Sequence, residues 1–236
     1  MKQSIVNKGK KIIGIDIGGT KIRGVLWNGK KVLKARETAT PKSLIDFKST
    51  LIKLINSLGR TDKIAIGVAG VVSGSKLVKS PNISYIKHFD FSNMNKLVFN
   101  KMVLDNDARC FGRAEYKMRS AAGKITTFFI TLGTGVGRAV GQNGKILKIR
   151  KFEYPERWES EYKKFRDSKD NKRLAEYLSE KLIKLIKPYQ PQIIIVGGGV
   201  LARKGFFAKF KKTSRLALKK SRFGKNAVAV GAAELF

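Results

Sequence analysis

The chain has 236 residues, 42% hydrophobic and 28% charged, which is the composition of a folded protein with one large core or two modest ones rather than of a disordered one. Fifty Lys and Arg against 17 Asp and Glu give a formal charge of +33, and the single cysteine, Cys110, excludes a disulfide framework and any cysteine-based zinc site. The apolar run after the basic N-terminal stretch is too short and too broken by glycine for a signal or membrane helix, so the expectation is a cytoplasmic protein with no membrane contact.

The first element is "IIGIDIGGTKIRGVLWNGKKV" (12–32): an apolar run, an acid, two glycines and a threonine. It has neither the G-x-G-x-x-G spacing of a dinucleotide fold nor the G-x-x-x-x-G-K-[ST] spacing of a P-loop, and both of those open a helix. Here β-branched and small residues follow, and Asn28-Gly29 is a hairpin signal. The glycine turn therefore joins two antiparallel strands. "SLIDFKSTLIKLINSLG" (43–59) predicts a helix, with Ser43 and Asp46 as a capping box, an apolar stripe, and Gly59 ending it. "KIAIGVAGVVSG" (63–74) predicts a buried strand running into a glycine-rich loop, and "KMVLDNDARCFGRAEY" (101–116) a strand that opens a helix beginning at Ala108. "TTFFITLGTGVGRAV" (126–140) is again strand, glycine turn, strand; "KRLAEYLSEKLIKLIK" (172–187) is a helix; "PQIIIVGGGV" (191–200) is a buried strand ending in three glycines.

The densest basic segment, "RKGFFAKFKKTSRLALKKSRFGK" (203–225), contains no acid. It reads either as a footprint for nucleic acid or another anionic surface, or as solvated lysines around a core-facing helix with the stripe Phe206, Phe207, Phe210 and Leu218. Clustering of this segment with 145–151 on one face would favour the first reading, and dispersal the second.

The two glycine turns match each other. Arg23 answers Arg138, Val25 answers Val140, and Asn28-Gly29 answers Asn143-Gly144, all 115 positions apart. "IAIGVAG" in the first half also answers "IIIVGGG" in the second. A duplicated unit of hairpin, strand, helix and strand gives two α/β lobes whose phosphate-binding turns face one cleft.

These residues resemble the ROK family of sugar kinases, within the actin-like ATPase superfamily. "GIDIGGTKIRGVL" looks like its first phosphate motif, "TLGTGVG" its second, "IIIVGGGV" its adenosine motif, and "AVAVGAAELF" its last helix; "SPNI" and "LDNDARCFGRAEY" look like its sugar-side elements. The resemblance implies a two-lobed actin-like (ribonuclease H-like) α/β fold. The lobes would be residues 1–118 and 119–236, with the last helix packing back on the first lobe. The first phosphate motif begins near residue 12, which leaves no room in this sequence for the helix-turn-helix domain of the family's regulators.

By resemblance, ATP lies between the lobes. Gly18, Gly19, Thr20 and Lys21 meet its phosphates from one side, Gly133, Thr134, Gly135 and Gly137 from the other, and Gly197, Gly198 and Gly199 receive the adenosine. Asp16 helps to hold Mg²⁺ through water, unless it only caps the turn; Lys21 is equally a strand surface residue. Asp107 is the base that takes the proton of a sugar hydroxyl, with Asn106 and Asn82 on the sugar. The alternative for Asn106-Asp107 is helix capping. Asp105 points elsewhere by strand alternation.

The family's glycine-rich run, Gly-Glu-x-Gly-His motif and zinc loop are replaced by "GQNGKILKIRKFEYPERWESEYKKF", so no zinc is expected. Counting from Gly133 puts Glu156 at the sugar-binding glutamate and Glu159 at the histidine, with Glu159 or Glu161 supplying the later glutamate; a charged surface loop is the competing reading. Tyr154 and Trp158 either stack on a sugar or pack under the shortened loop. His88 is expected to be solvated, Cys110 buried, and Arg138 an outward-facing strand arginine. The resulting expectation is ATP-dependent phosphorylation of a hexose or N-acetylhexosamine, with the homodimer common in that family and non-specific nucleic-acid binding from the charge. The rivals are an inactive nucleotide- or sugar-binding regulator and a nucleic-acid-associated protein.

Overall fold

The computed structural model describes residues 11–94, 101–117 and 125–236; the lobe boundary expected at 118/119 lies outside the described residues. Strands β1 (Ile12–Ile17), β2 (Lys21–Trp27), β3 (Val32–Ala39), β4 (Lys63–Val68) and β8 (Lys101–Asn106) form the first large sheet in the order β3-β2-β1-β4-β8. The second contains β9 (Thr127–Leu132), β10 (Val136–Gln142), β11 (Lys145–Ile146), β12 (Ile193–Gly197) and β13 (Leu218–Lys220) in the order β11-β10-β9-β12-β13. Both sheets run as an antiparallel hairpin followed by parallel strands. A small sheet of β5 (Val71–Ser73), β6 (Lys76–Lys79) and β7 (Phe89–Asp90) follows β4.

The duplication is complete at the level of strand order. β1 and β9, and β2 and β10, start and stop 115 positions apart. Their Asn-Gly turns diverge. Asn143 and Gly144 both take positive φ (51° and 77°) in a two-residue hairpin, whereas Asn28 Oδ1 accepts from the N–H of Lys30 and Lys31 in a longer turn.

Helix α1 (Leu44–Leu58) is capped by Ser43, whose hydroxyl oxygen accepts from the Asp46 N–H, and Gly59 ends it at φ 129°. Its buried residues, from Phe47 to Leu58, pack with Ile13, Ile15 and Ile17 of β1 in one core. Alternation turns Ile12 and Gly14 to the opposite face, where helix α6 (Ala227–Ala233) lies. A Cβ on Gly14 would collide with the Ala229 carbonyl, so glycine is what admits α6 this closely. α6 also packs on α2 (Asp107–Lys117), with Gly231 against the Cys110 backbone.

The second sheet buries Phe128 and Ile130 with Leu174, Leu178 and Leu182 of α4 (Asn171–Ile186) and Phe206 and Phe210 of α5 (Phe206–Ser214). α3 (Glu159–Asp167) precedes α4. The expected stripe through Leu218 needs correcting. α5 stops at Ser214, Arg215 takes a left-handed conformation (φ 54°), and Leu218 starts β13 beside β12. A spacing of eight from Phe210 fits either continuation, and the sheet ladder wins.

Candidate active site

A cleft of about 680 Å³ opens where both halves present strand ends and glycine turns. Asp16 stands near the end of β1, and Asn106 and Asp107 stand where β8 becomes α2. β1, β4 and β8 are parallel neighbours, so these groups converge at the carboxyl ends of adjacent strands. Gly18, Gly19 and Lys21 line the cleft from the first turn, Gly133, Thr134, Gly135 and Gly137 from the second, and Gly197, Gly198 and Gly199 from the end of β12. Asn82 reaches it beside Gly19, where a Cβ would come within 2.7 Å of the asparagine's own. Glu159 lines it as well. Thr20 is exposed and lies off the cleft, its carbonyl accepting from the Thr40 N–H (3.0 Å). Lys21 is exposed at the rim and pairs with Glu37 at 2.6 Å.

The capping and site readings of Asn106 hold together. Its Oδ1 accepts from the N–H of Ala108 and Arg109 (3.0 and 3.2 Å), and its Nδ2 donates to the Gly70 carbonyl (3.0 Å). α2 starts at Asp107, one residue earlier than expected, and the Ala108 N–H donates to the Asp107 carboxylate at 2.8 Å. Burial lifts Asp107 to about 6, with that hydrogen bond opposing. Burial, and then the negative charge of Asp107, lift Asp16 to about 8, with Arg23 opposing. Two carboxyl groups that resist ionisation and face one cavity fit a cation: Mg²⁺ would need only one or two protein carboxylates here, and its charge would relieve both Asp16 and Asp107.

The second glycine turn is held from behind. Tyr162 donates its hydroxyl to the Gly133 carbonyl (2.8 Å), and Arg166 donates to the carbonyls of Gly133 (3.1 Å) and Thr134 (2.7 Å). Glu159 Oε2 accepts from the Val136 N–H at 3.2 Å.

Arg138 is where the sequence expectation fails. It is 2% exposed rather than outward-facing, and its guanidinium binds Glu156, Glu159 (3.1 Å) and the Tyr154 carbonyl (2.7 Å). Glu156 is spent on Arg138 and on the Trp158 indole N–H (3.0 Å) and does not line the cleft. Trp158 packs into the second core, while Tyr154 is exposed at the cleft edge. Its sequence mate Arg23 is also buried, pairing with Glu37 and Asn226.

Sequence reasoning missed a third buried arginine. Arg109 binds Asp105 near the end of β8 and Glu153, 44 residues away, and Glu153 lines the cleft. Burial opposes the charge on Asp105, yet Arg109 and Arg113 outweigh it and hold its carboxyl below the usual range. Glu115, fully buried on α2, accepts from the Ser221 hydroxyl (2.6 Å) and the N–H of Arg222 (2.8 Å) and Phe223 (3.2 Å), which places Ser221, Gly224 and Lys225 on the cleft. No local spacing announces either tie.

The sequence profile of the ROK family matches residues 12–149. The chain belongs to the ROK family. N-acetylmannosamine kinases of Shigella flexneri and Escherichia coli O157:H7 are each 32% identical to it, over 146 and 145 residues. Those stretches are 58% and 57% of this chain and 49% and 48% of the relatives, so this ROK chain spans about half the length of the curated relatives it matches. Among solved structures, a ROK glucokinase from Streptomyces griseus in complex with glucose and AMPPNP superimposes with a TM-score of 0.78 at 20% identity, covering 95% of this chain and 98% of that one. An inorganic polyphosphate/ATP-glucomannokinase from Arthrobacter sp. strain KM gives 0.79 at 22%, covering 96% and 98%. The fold of this ROK chain is the two-lobed actin-like one, carried on three sheets.

Proposed function

We propose that this ROK chain transfers the γ-phosphoryl group of ATP to a hydroxyl of a hexose or N-acetylhexosamine. The observation that carries the reading is Asp107. Its carboxyl lies on the floor of a cleft walled by two glycine turns, in a setting that lifts its pKa to about 6, close enough to neutrality for a base that must take a hydroxyl proton. The N-acetylmannosamine kinases to which the chain is similar support it.

In this reading the backbone N–H groups of Gly18–Gly19 and Gly133–Gly137 receive the phosphates, where glycine leaves the approach open, with Lys21 at the rim. Gly197–Gly199 take the adenosine. Asn106 keeps one amide hydrogen beyond its bond to Gly70 and offers it to the acceptor sugar, beside Asn82. Asp107 removes the proton as the oxygen attacks in line. Asp16 would hold Mg²⁺ through water, and the ion would supply charge neutralisation on the phosphates. Glu159 acts from the wall by fixing Val136 and hence the second turn, while Glu156 is held by Arg138 off the cleft. Among the described residues no helix is long and apolar enough to cross a membrane, and a cytoplasmic setting belongs to the proposal.

Sugar-dependent ADP release with Mg-ATP and a panel of hexoses and amino sugars tests it. The expected result is turnover with at least one sugar, reduced about 10²–10⁴-fold in Asp107→Asn. ATP binding with no sugar-stimulated release would replace the kinase by a ligand-binding regulator.

A further inference from the structure

The segment from Glu153 to Glu156, tied by Arg138 of β10 beside the second glycine turn, carries two glutamates with different surroundings. Glu156 meets Arg138 and Trp158 and is absent from the cleft lining. Glu153 ends the short helical turn Arg150–Glu153, has a side chain only 2% exposed, and lines the cleft. One of its oxygens, Oε1, accepts from Arg109. Arg109 is two residues after Asp107 on α2 and is itself clamped by Asp105 (2.5 Å).

We infer that Glu153, rather than Glu156, is the carboxylate that reads the acceptor, taking hydrogen bonds from hydroxyl groups of the polyol with Oε2. This rests on the kinase reading above. A carboxylate has room for about four hydrogen bonds, and Arg109 uses one oxygen of this one. Burying a carboxylate beside a cavity is costly unless it is paired, and Arg109 supplies the pairing without filling the cavity side. The guanidinium also couples the position of Glu153 to the helix that carries Asp107, so the group that recognises the acceptor and the group that deprotonates it share one rigid mount. A hydroxyl donates well to a charged, desolvated acceptor, and the discrimination against an analogue lacking that hydroxyl is large because the carboxylate is then left unpaired.

The test uses Glu153→Gln, which keeps an oxygen for Arg109, and the monodeoxy analogues of whichever sugar the wild-type protein accepts. The expected result is a rise of about 10- to 100-fold in the acceptor KM, with the ATP KM within about twofold of wild type. For at least one deoxy analogue, the KM penalty seen with wild type shrinks to under about twofold in the variant. Glu156→Gln leaves every deoxy penalty as it was. Unchanged deoxy penalties in Glu153→Gln, with the wild-type protein active, overturn the assignment while leaving the kinase intact. A wild-type protein that neither turns over nor binds any sugar by calorimetry overturns the kinase reading and the role of Glu153 with it. If sugar binds without turnover, the same deoxy comparison is read from calorimetric Kd values and decides in the same way.

Discussion

Asp16 and Asp107 are the residues whose chemistry departs furthest from that of a free carboxyl, and the departure has a sign. Both pKa values are raised on folding, to about 8 and about 6, so the folded state prefers the protonated forms. Their contribution is fully present below about pH 4 and is lost as pH climbs through 6 and then 8. In metal-free buffer, urea melts are expected to show wild type losing stability between pH 5 and 8.5, by at most about 1.4 kcal/mol per pH unit for each carboxyl. Asp16→Asn flattens that slope. Asp105, held low by Arg109 and Arg113 against its burial, and Glu37, held low by Lys21 and then Arg23, lose their contribution only as pH falls below the ordinary carboxylate range, so they do not obscure the effect. A slope that persists in Asp16→Asn would remove Asp16 as its source.

At the scale of elements, the wall from β10 to α3 is organised by Arg138 rather than by a regular ladder. Arg138→Ala leaves Glu159 buried without its cation, and the expected loss is about 3–5 kcal/mol in urea denaturation. Lys184→Ala, which removes an exposed pair with Glu180, is expected to cost under about 1 kcal/mol. Equal losses in the two variants would show that Arg138 does not organise the wall. The hairpins, the glycine turns and the α1 cap were legible in the sequence because each is written in adjacent residues: Ser43 and Asp46 lie within one helical turn, and the strands at 12–27 repeat at 127–142. Arg138 and Arg109 were not legible as buried residues. Their glutamate partners stand 18 to 44 positions downstream in a stretch without period, and an arginine on a strand or a helix has no local mark that tells burial from exposure. Leu218 misled for the same reason, since pairing of β13 with β12 is decided across the sheet.

For the molecule as a whole, the +33 charge is not gathered at one place in the second sheet. β11 and β13, within or beside its two basic stretches, are opposite edges with three strands between them, about 19 Å apart at the usual strand spacing. Binding to DNA is therefore expected to be indifferent to sequence, with unrelated duplexes agreeing within about twofold, and to vanish steeply with salt in fluorescence anisotropy. A strong preference for one sequence would contradict this. The docking of α6 on β1 has another consequence, one of timing. The ribosome delivers β1 early and residues 227–233 some two hundred positions later, yet the face of β1 bearing Ile12 and Gly14 is roofed by that late helix. During translation the first sheet waits with one side uncovered, and the strand carrying Asp16 is sealed only after the second sheet has been made. A nascent chain stalled before residue 227 should stay open to protease within 11–39, because the first sheet is roofed only once residues 227–233 have emerged.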